Sequence, residues 1–327
     1  MPQWKTILTY DGSPYNGWQI QPALPTVQGT LAQAIHRITG ETVLPQGSGR
    51  TDTGVHALAQ VATFSLTAPI PAANLHRALN RALPPSIRIL SVEPVSEDFH
   101  ARHSARRKTY EYRILPCESH PEDRICPPML APYVWAYRFP LELAPLQQAA
   151  AHVLGTHDFS SFAAVDPDLT TRTRSQQETA PAESTSTHTP APKGIFTHTP
   201  VPERVVPKSV VTNDLSASAK KSTVISTVVG ELADEVEKPA SLTPTIPTDN
   251  TRTIFHSAWH QHEDILIYRV TGSGFLHHMV RNLVGTFVET ATRLDPDVIP
   301  KILAARNRSA AGPTAPARGL FLVEVEY

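Results

Sequence analysis

The sequence predicts a mixed α+β fold in which a largely antiparallel sheet is flanked by helices. Strand-like segments alternate with segments whose apolar residues recur at helical spacing. Several consecutive strands are separated by too few residues for parallel crossovers, which favours antiparallel pairing. The chain has 327 residues, which suggests about two domains at roughly 150 residues each.

The predicted elements have recognisable ends. Thr26 is a predicted N-cap, and Gly40 stops the apolar repeat of the helix that follows it. Asp295 and Pro296 predict the cap and first turn of another helix. Four longer helices are predicted at Val27–Ile38, Pro71–Leu83, Leu146–Leu154 (ending at Gly155) and His277–Leu294. Strands are predicted at Lys5–Tyr10, Gln60–Phe64, Ile87–Val95, Thr109–Leu115, Ile265–Val270 and Leu320–Tyr327.

Residues 166–250 differ from the rest of the chain in composition. They contain 24 Ser and Thr and 10 Pro among 85 residues, and Phe196 is their only aromatic residue. Such a segment buries too little apolar surface to offset the entropy of ordering it, so we predict a disordered insertion into a globular body. It carries 8 Lys and Arg against 11 Asp and Glu, which favours a passive tether over an RNA contact.

Composition limits the function classes. The sequence has no apolar run of about 18 residues, and its N-terminus lacks the pattern of a signal peptide, so no membrane association is expected. The two cysteines, Cys117 and Cys126, lack a zinc-knuckle spacing, which favours a reducing cytoplasm. The formal net charge of −1 gives no global sign of a nucleic-acid partner, so that argument depends on local basic clusters.

Residues 47–57, GSGRTDTGVHA, place one acid between glycines that permit tight turns. Arg50 and Asp52 are two positions apart, so in an extended backbone their side chains share one face. A nearby cation favours the ionised form of a carboxylate, and a partly desolvated carboxylate is a competent nucleophile. On these residues alone, a solvated Arg–Asp pair in a turn is an equal alternative. A phosphate-binding loop is disfavoured because no GK[ST] ending follows.

A second motif, FHARHSARRKTYEYRI at residues 99–114, combines cations with aromatic rings. Cations that bind phosphates beside rings that stack on bases are what recognition of single-stranded RNA requires. Tyr110 and Tyr112 share one face of a predicted strand, and Tyr112 fits an ordinary core position better than a binding role. The cations of this motif are Arg102, Arg106, Arg107 and Lys108.

A third motif, GSGFLHHMVRNLVG at residues 272–285, places Arg281 in an otherwise apolar helical sequence. A cation there needs a carboxylate or phosphate partner. His277 and His278 are adjacent, so on a helix they are not expected to face one site together. Three further histidines lack a carboxylate or cysteine at a complementary spacing, so no metal site is predicted at His256, His260 and His262.

These three motifs, in this order, resemble the tRNA pseudouridine synthase A family. The resemblance extends through YDG at residues 10–12, GWQ at 17–19, DFSSF at 158–162, TRTI at 251–254 and the closing GLFLVEVEY. The combination of GRTDTGVHA with HHMVRN is highly specific. The main departure is the insertion, since the family normally joins DFSSF to the RTI segment through a short loop.

The resemblance implies a pseudouridine synthase fold of two similar halves, which divides this chain into residues 1–108 and 109–327, with the insertion in the second half. It implies isomerisation of uridine to pseudouridine at positions 38, 39 and 40 of the tRNA anticodon stem-loop. It further implies a homodimer that binds tRNA and uses no cofactor and no metal.

The resemblance also assigns roles to individual residues. Asp52 matches the nucleophilic aspartate, and Arg50 matches the arginine that helps open the place of the target nucleotide in the stem. Tyr110 matches the tyrosine that stacks on the target uracil and is a candidate base for the C5 proton. Arg281 matches the arginine that pairs with the aspartate. The residues predicted to bind the RNA are Tyr110, His277, Arg102, Arg106, Arg107 and Lys108.

The chemistry accounts for these residue types. The base must leave C1′, rotate while it is held, and rebond through C5. A carboxylate can attack C1′ or stabilise the cation that develops there, and a paired nucleotide must first be flipped out. A nucleobase deaminase is a weaker alternative, because its H-x-E and P-C-x-x-C zinc signature is absent. A non-catalytic tRNA-binding protein would keep Tyr110 and the basic cluster but would not need Asp52.

Overall fold

The computed structural model describes residues 1–116, 125–164, 249–293 and 295–327. The predicted disordered insertion lies outside the described residues, except for Asp249 and Asn250, and Cys117 lies outside them as well. In the part of the chain that is described, no helix is long and apolar enough to cross a membrane.

The described strands form one mixed sheet. They are β1 (Gln3–Tyr10), β2 (Gln46–Gly47), β3 (His56–Ser65), β4 (Ile87–Val95), β5 (Arg107–Pro116), β6 (Trp135–Tyr137), β7 (Gly155–Asp158), β8 (Thr251–His262), β9 (Ile265–Gly272) and β10 (Leu320–Glu326). The main path is β4-β1-β3-β10-β5-β9-β8-β7, with β2 paired to β3 and β6 paired to β5. Two pairings are parallel, β10 with β3 and β6 with β5, and the others are antiparallel. The predicted mixed, largely antiparallel sheet is therefore confirmed.

The helices flank this sheet. They are α1 (Val27–Thr39), α2 (Ala72–Ala82), α3 (Leu143–Ala151), α4 (Met279–Arg293) and α5 (Ile299–Ala305). The predicted ends of α1 are confirmed: Thr26 Oγ1 accepts a hydrogen bond from the Gly29 amide, and Gly40 has a φ of 75°. Asp295 caps the short 3₁₀ turn that precedes α5.

Three predicted helix boundaries are wrong, and one of them is the start at Leu146, since α3 already begins at Leu143. The helix predicted to end at Gly155 ends at Ala151, because Gly155 already pairs with β8 as the first residue of β7. The helix predicted from His277 begins at Met279, because His278 has a left-handed backbone with φ of 58° and cannot lie within a right-handed helix.

The centre of the sheet brings the sequence motifs together. β10 lies between β3, which follows the Asp52 loop, and β5, which carries Tyr110. Leu322 of β10 is paired with Ala57 on one side and with Tyr110 on the other. The last strand of the chain thus joins the second motif to the first. The predicted boundary between the two halves falls inside β5, and the division into halves stays a prediction.

Candidate active site

Asp52 lies in the loop between β2 and β3, and this loop is held by the residues that follow β1. The amide of Trp18 donates to the Thr51 carbonyl over 3.0 Å. The hydroxyl of the buried Tyr10 lies 2.8 Å from Thr51 Oγ1. Within the loop, the Val55 amide donates to the Asp52 carbonyl over 3.1 Å and closes a turn. The loop is therefore held at Thr51 by Tyr10 and Trp18, and at Asp52 by its own turn.

Gly17 permits this close approach. Its φ is 81°, in the left-handed region that favours glycine. A Cβ atom at Gly17 would lie 2.5 Å from the Thr51 carbonyl oxygen, well inside van der Waals contact. The GWQ motif thus supplies a backbone surface against which the Asp52 loop packs.

Arg281 of α4 reaches Asp52 from the other side of the site. Its Nη1 donates to Asp52 Oδ2 over 3.0 Å, and its Nε donates to the Ala315 carbonyl over 2.8 Å. The segment around Ala315 comes this close because Gly285 of α4 has no side chain: a Cβ there would lie 1.7 Å from the Pro313 carbonyl oxygen. The cation expected to need a partner has a carboxylate partner, and a second acceptor orients it.

His277 and His278 both face Asp52, contrary to the expectation that adjacent histidines would point apart. His277 Nε2 lies 3.6 Å from Oδ1, and His278 Nε2 lies 3.3 Å from Oδ2. The two rings are 3.9 Å apart at an angle of 31°. Helical geometry does not apply to them because they precede α4, and the left-handed backbone of His278 turns its side chain to the same carboxylate.

Tyr110 lies beside this group and is almost fully buried. Its ring meets that of Phe275 edge to face at 5.0 Å. Burial raises the pKa of Tyr110, and the neighbouring Tyr10 and Asp52 raise it further. The ring is therefore a neutral phenol at physiological pH. Tyr112, on the same strand face, is a core residue as predicted, with its hydroxyl donating to the Pro316 carbonyl over 2.7 Å.

The predicted basic residues have different surroundings. Lys108 is close to the Asp52 loop: its Nζ donates to the Ser48 carbonyl over 2.6 Å, and burial, with a contribution from Arg102, lowers its pKa to about 8. Arg107 lies over the Phe255 ring at 4.7 Å and close to Glu326. Arg106 is exposed.

Arg50 and Arg102 line one polar cavity at the edge of the Asp52 loop. Gly47 and Gly49 of the first motif form part of its wall, and His100 is another lining residue. The structure thus places Arg50 and Arg102 together. A cavity with these donors can bind an anion such as a phosphate.

Three of these side chains have the geometry of a metal site. One ligand atom each from Asp52, His277 and His278 lies within 4.8 Å of the others. The same carboxylate, however, already binds the guanidinium of Arg281. A divalent cation would be placed beside a fixed positive charge. We therefore interpret the two histidines as hydrogen-bonding neighbours of Asp52 and Arg281 as its cation.

His56 lies at the other end of the loop, beside Asp11, and the sequence motifs did not predict that these two residues are neighbours. His56 is buried, with Nδ1 lying 3.2 Å from Asp11 Oδ1 and accepting from the Gly12 amide. Its Nε2 therefore carries the hydrogen and donates to the Pro132 carbonyl over 3.0 Å. The signal was present, because Asp11 lies in YDG and His56 in GVHA, but their pairing is not visible from local sequence.

The chain is similar to known proteins over most of its length. A family model described as tRNA pseudouridine synthase matches residues 7–104 and 241–327. A protein of Solibacter usitatus named tRNA pseudouridine synthase A is 38% identical over 323 residues, covering 99% of this chain and 98% of that protein. A protein of the same name from Moorella thermoacetica is 37% identical over 330 residues, covering all of both chains. One from Thermoanaerobacter sp. is 31% identical over 322 residues, or 98% of each.

Proposed function

This chain belongs to the tRNA pseudouridine synthase family, and on that premise we propose that it isomerises uridine to pseudouridine at positions 38, 39 and 40 of the tRNA anticodon stem-loop, with Asp52 as the essential carboxylate. The observation that carries the proposal is the 3.0 Å contact between Asp52 and Arg281. It joins the first and third motifs of the sequence in a partly exposed site beside Tyr110.

The position of Asp52 suits a reaction at C1′ of the flipped nucleotide. The carboxylate is about one-fifth exposed, so a ribose can reach it. It either attacks C1′ or stabilises the cation that develops as the N1–C1′ bond breaks. C5 of the rotated uracil then bonds to C1′, and where the carboxylate has attacked, the Asp52–C1′ bond breaks in the same step and restores the free carboxylate. C5 then loses its proton to solvent, while N1 takes up a proton. The isomerisation therefore needs no co-reactant.

Four of the other predicted residues receive roles that follow from their surroundings. Arg281 holds the carboxylate in position because its own orientation is set by the Ala315 carbonyl. The buried Tyr110 ring supports the detached uracil by stacking. Arg50 and Arg102 contact phosphates that flank the flipped nucleotide.

The assembly and the compartment belong to the same proposal. We expect a homodimer in the cytoplasm; the family resemblance supports the dimer, and the presence of only two cysteines supports the compartment. Size-exclusion chromatography with light scattering would measure the first.

The proposed reaction is tested with unmodified tRNA labelled with tritium at uridine C5. We expect wild-type protein to release tritium to water, and Asp52→Asn to release none while it still binds the tRNA. Asp98→Asn, which changes an exposed carboxylate outside the site, is the matched control and should release tritium like the wild type.

Each alternative gives a different result. If wild-type protein binds tRNA tightly but releases no tritium from any tRNA with uridines in the anticodon stem-loop, the enzyme proposal fails and an RNA-binding protein is left. If Asp52→Asn retains activity, the assignment of the carboxylate fails even though the isomerase activity stands.

A further inference from the structure

We propose that His278 is a further catalytic residue, whose Nε2–H donates a hydrogen bond to O2 of the uracil as the N1–C1′ bond breaks. This inference rests on the proposed function, and it adds a group that stabilises the departing base. The sequence motifs gave His278 no role, but the structure places it beside the carboxylate.

The geometry of His278 is specific to this site. Its Nε2 lies 3.3 Å from Asp52 Oδ2, and its backbone has a φ of 58°, which is uncommon for a residue with a side chain. Strained backbone of this kind persists only where surrounding contacts stabilise it. His278 is also partly exposed, at 28% of its side-chain area, so it lines the open side of the site and not the core.

The covalent structure of uridine connects this position to O2. N1 is bonded to both C1′ and C2, so O2 is the uracil oxygen nearer to C1′, while O4 lies across the ring. A group that touches the carboxylate engaging C1′ is therefore close to O2. When the N1–C1′ bond breaks, the electron pair stays on the ring and spreads from N1 onto O2. A donor at O2 stabilises that charge in the transition state.

His278 can donate without losing its proton. Burial lowers its pKa against the opposing charge of Asp52, and the cationic neighbours Arg281 and Arg308 act in the same direction as burial. The imidazole is thus neutral at physiological pH, and the carboxylate favours the tautomer with hydrogen on Nε2. The hydrogen bond shifts from Asp52 to the developing negative charge on O2, and the proton stays on nitrogen throughout.

The test replaces single oxygens of the target uridine by sulfur, which is a weaker hydrogen-bond acceptor. Single-turnover rates are measured for wild type and His278→Ala on tRNA with uridine or 2-thiouridine at the target position. We expect His278→Ala to slow the reaction about 10²- to 10³-fold on uridine. The 2-thio substitution should slow the wild type but have a much smaller effect on the variant, because the contact it weakens is already absent.

Three comparisons make this result specific. With 4-thiouridine the effects of sulfur and of His278→Ala should multiply, since O4 lies away from the donor. His277→Ala, which removes the stacked neighbour, should leave the 2-thio effect as large as in the wild type. His278→Gln retains an N–H donor and should recover part of the lost rate, and thermal melting checks that each variant is folded.

Two results would overturn the inference. One is an equal 2-thio effect in wild type and His278→Ala, and the other is the absence of any 2-thio effect in the wild type. Both leave the proposed function intact, because pseudouridine would still form in the wild type. Failure of the wild type to form product from unmodified uridine would instead remove the proposed function itself.

Discussion

The loop from Asp52 to His56 connects two aspartate–histidine contacts that differ in their surroundings. Asp52 lies 3.3 Å from His278 in a partly exposed site, with an arginine on the same oxygen. His56 lies 3.2 Å from Asp11 with only 1% of its side chain exposed, and its ring stacks on Phe321 at 4.7 Å.

The two sites differ in how far their polar groups are buried and already bonded to other protein groups. Both ring nitrogens of His56 have partners from the protein, the Gly12 amide and the Pro132 carbonyl, and Tyr133 donates to the second oxygen of Asp11. A buried polar group with all its partners stabilises one conformation. Asp52 and its partners, in contrast, are partly exposed and can exchange contacts for those of a substrate. We infer that His56 fixes its end of the loop through its bonds to the Gly12 amide and the Pro132 carbonyl, and that Asp52 performs the chemistry.

The largest effect on the catalytic rate is expected when Asp52 loses the cation of Arg281. Arg281→Gln removes the charge from Asp52 Oδ2, and because Arg281 also bonds Ala315, the carboxylate loses its oriented partner. We expect the single-turnover rate to fall about 10²- to 10³-fold, with tRNA binding reduced much less, measured by filter binding.

Arg293→Gln provides the control for Arg281→Gln. Arg293 lies on the same helix, α4, but is exposed, so the wild-type rate is expected. Equal losses in both variants would mean that charge on α4 acts through RNA affinity and not through Asp52.

Loss of the buried His56 side chain should instead lower the stability of the protein. His56→Ala leaves a cavity beside Phe321 and removes partners from the Gly12 amide and the Pro132 carbonyl. We expect the free energy of unfolding at pH 7.5 to fall by about 2–4 kcal/mol, measured by urea denaturation.

The pH dependence of the free energy of unfolding shows whether His56 is buried as a neutral imidazole or contributes only by the packing of its ring. Burial lowers the pKa of His56 against the opposing charge of Asp11, so the folded protein binds fewer protons than the unfolded chain. Its stabilising contribution is present above the unfolded pKa of about 6.5 and is lost as the pH falls below it. The difference in stability between wild type and His56→Ala should therefore be smaller at pH 5.5 than at pH 7.5. An unchanged difference would contradict a neutral, buried His56.

How much of this comparison could be predicted from the sequence depends on where the partners lie. The need of Arg281 for an acid followed from its apolar surroundings, and the shared face of Tyr110 and Tyr112 followed from strand geometry. The mixed sheet followed from the alternation of elements. These features depend on local pattern.

The features that could not be predicted depend on backbone conformation and on distant pairing. The φ of 58° at His278 has no local signal, because residues other than glycine seldom adopt it, and at this bend both histidines face one carboxylate. The contact between Asp11 and His56 joins residues 45 positions apart. The parallel pairing of β10 with β3 likewise depends on the closure of the whole sheet.

A smaller effect is expected at Gly17, which lets the backbone after β1 support the Asp52 loop. Gly17→Ala places a methyl group 2.5 Å from the Thr51 carbonyl oxygen at a φ of 81°. We expect a loss of about 1–3 kcal/mol in stability and a lower catalytic rate, measured together by denaturation and tritium release.

Gly40→Ala separates strain from displacement of the loop. Gly40 has a similar φ of 75°, but its added Cβ would meet nothing within 4 Å. This variant should lose about 1 kcal/mol of stability and keep the wild-type rate. If Gly17→Ala also keeps the wild-type rate, the loop does not depend on this contact.

The smallest effect is expected when Tyr110 loses its hydroxyl. Burial and the nearby Asp52 raise the pKa of Tyr110, so a phenolate base would be scarce, and the ring contact with Phe275 does not need the oxygen. Tyr110→Phe should therefore slow tritium release less than about tenfold, which corresponds to less than about 1.4 kcal/mol of activation free energy. Tyr110→Ala removes the stacking surface and should slow the release far more. Tyr112→Phe is the control, since its hydroxyl bonds Pro316 in the core; it should lose about 1 kcal/mol of stability and no rate. A loss in Tyr110→Phe as large as that in Tyr110→Ala would instead show that the hydroxyl, and not the ring alone, takes part in the reaction, and would assign to it the removal of the C5 proton.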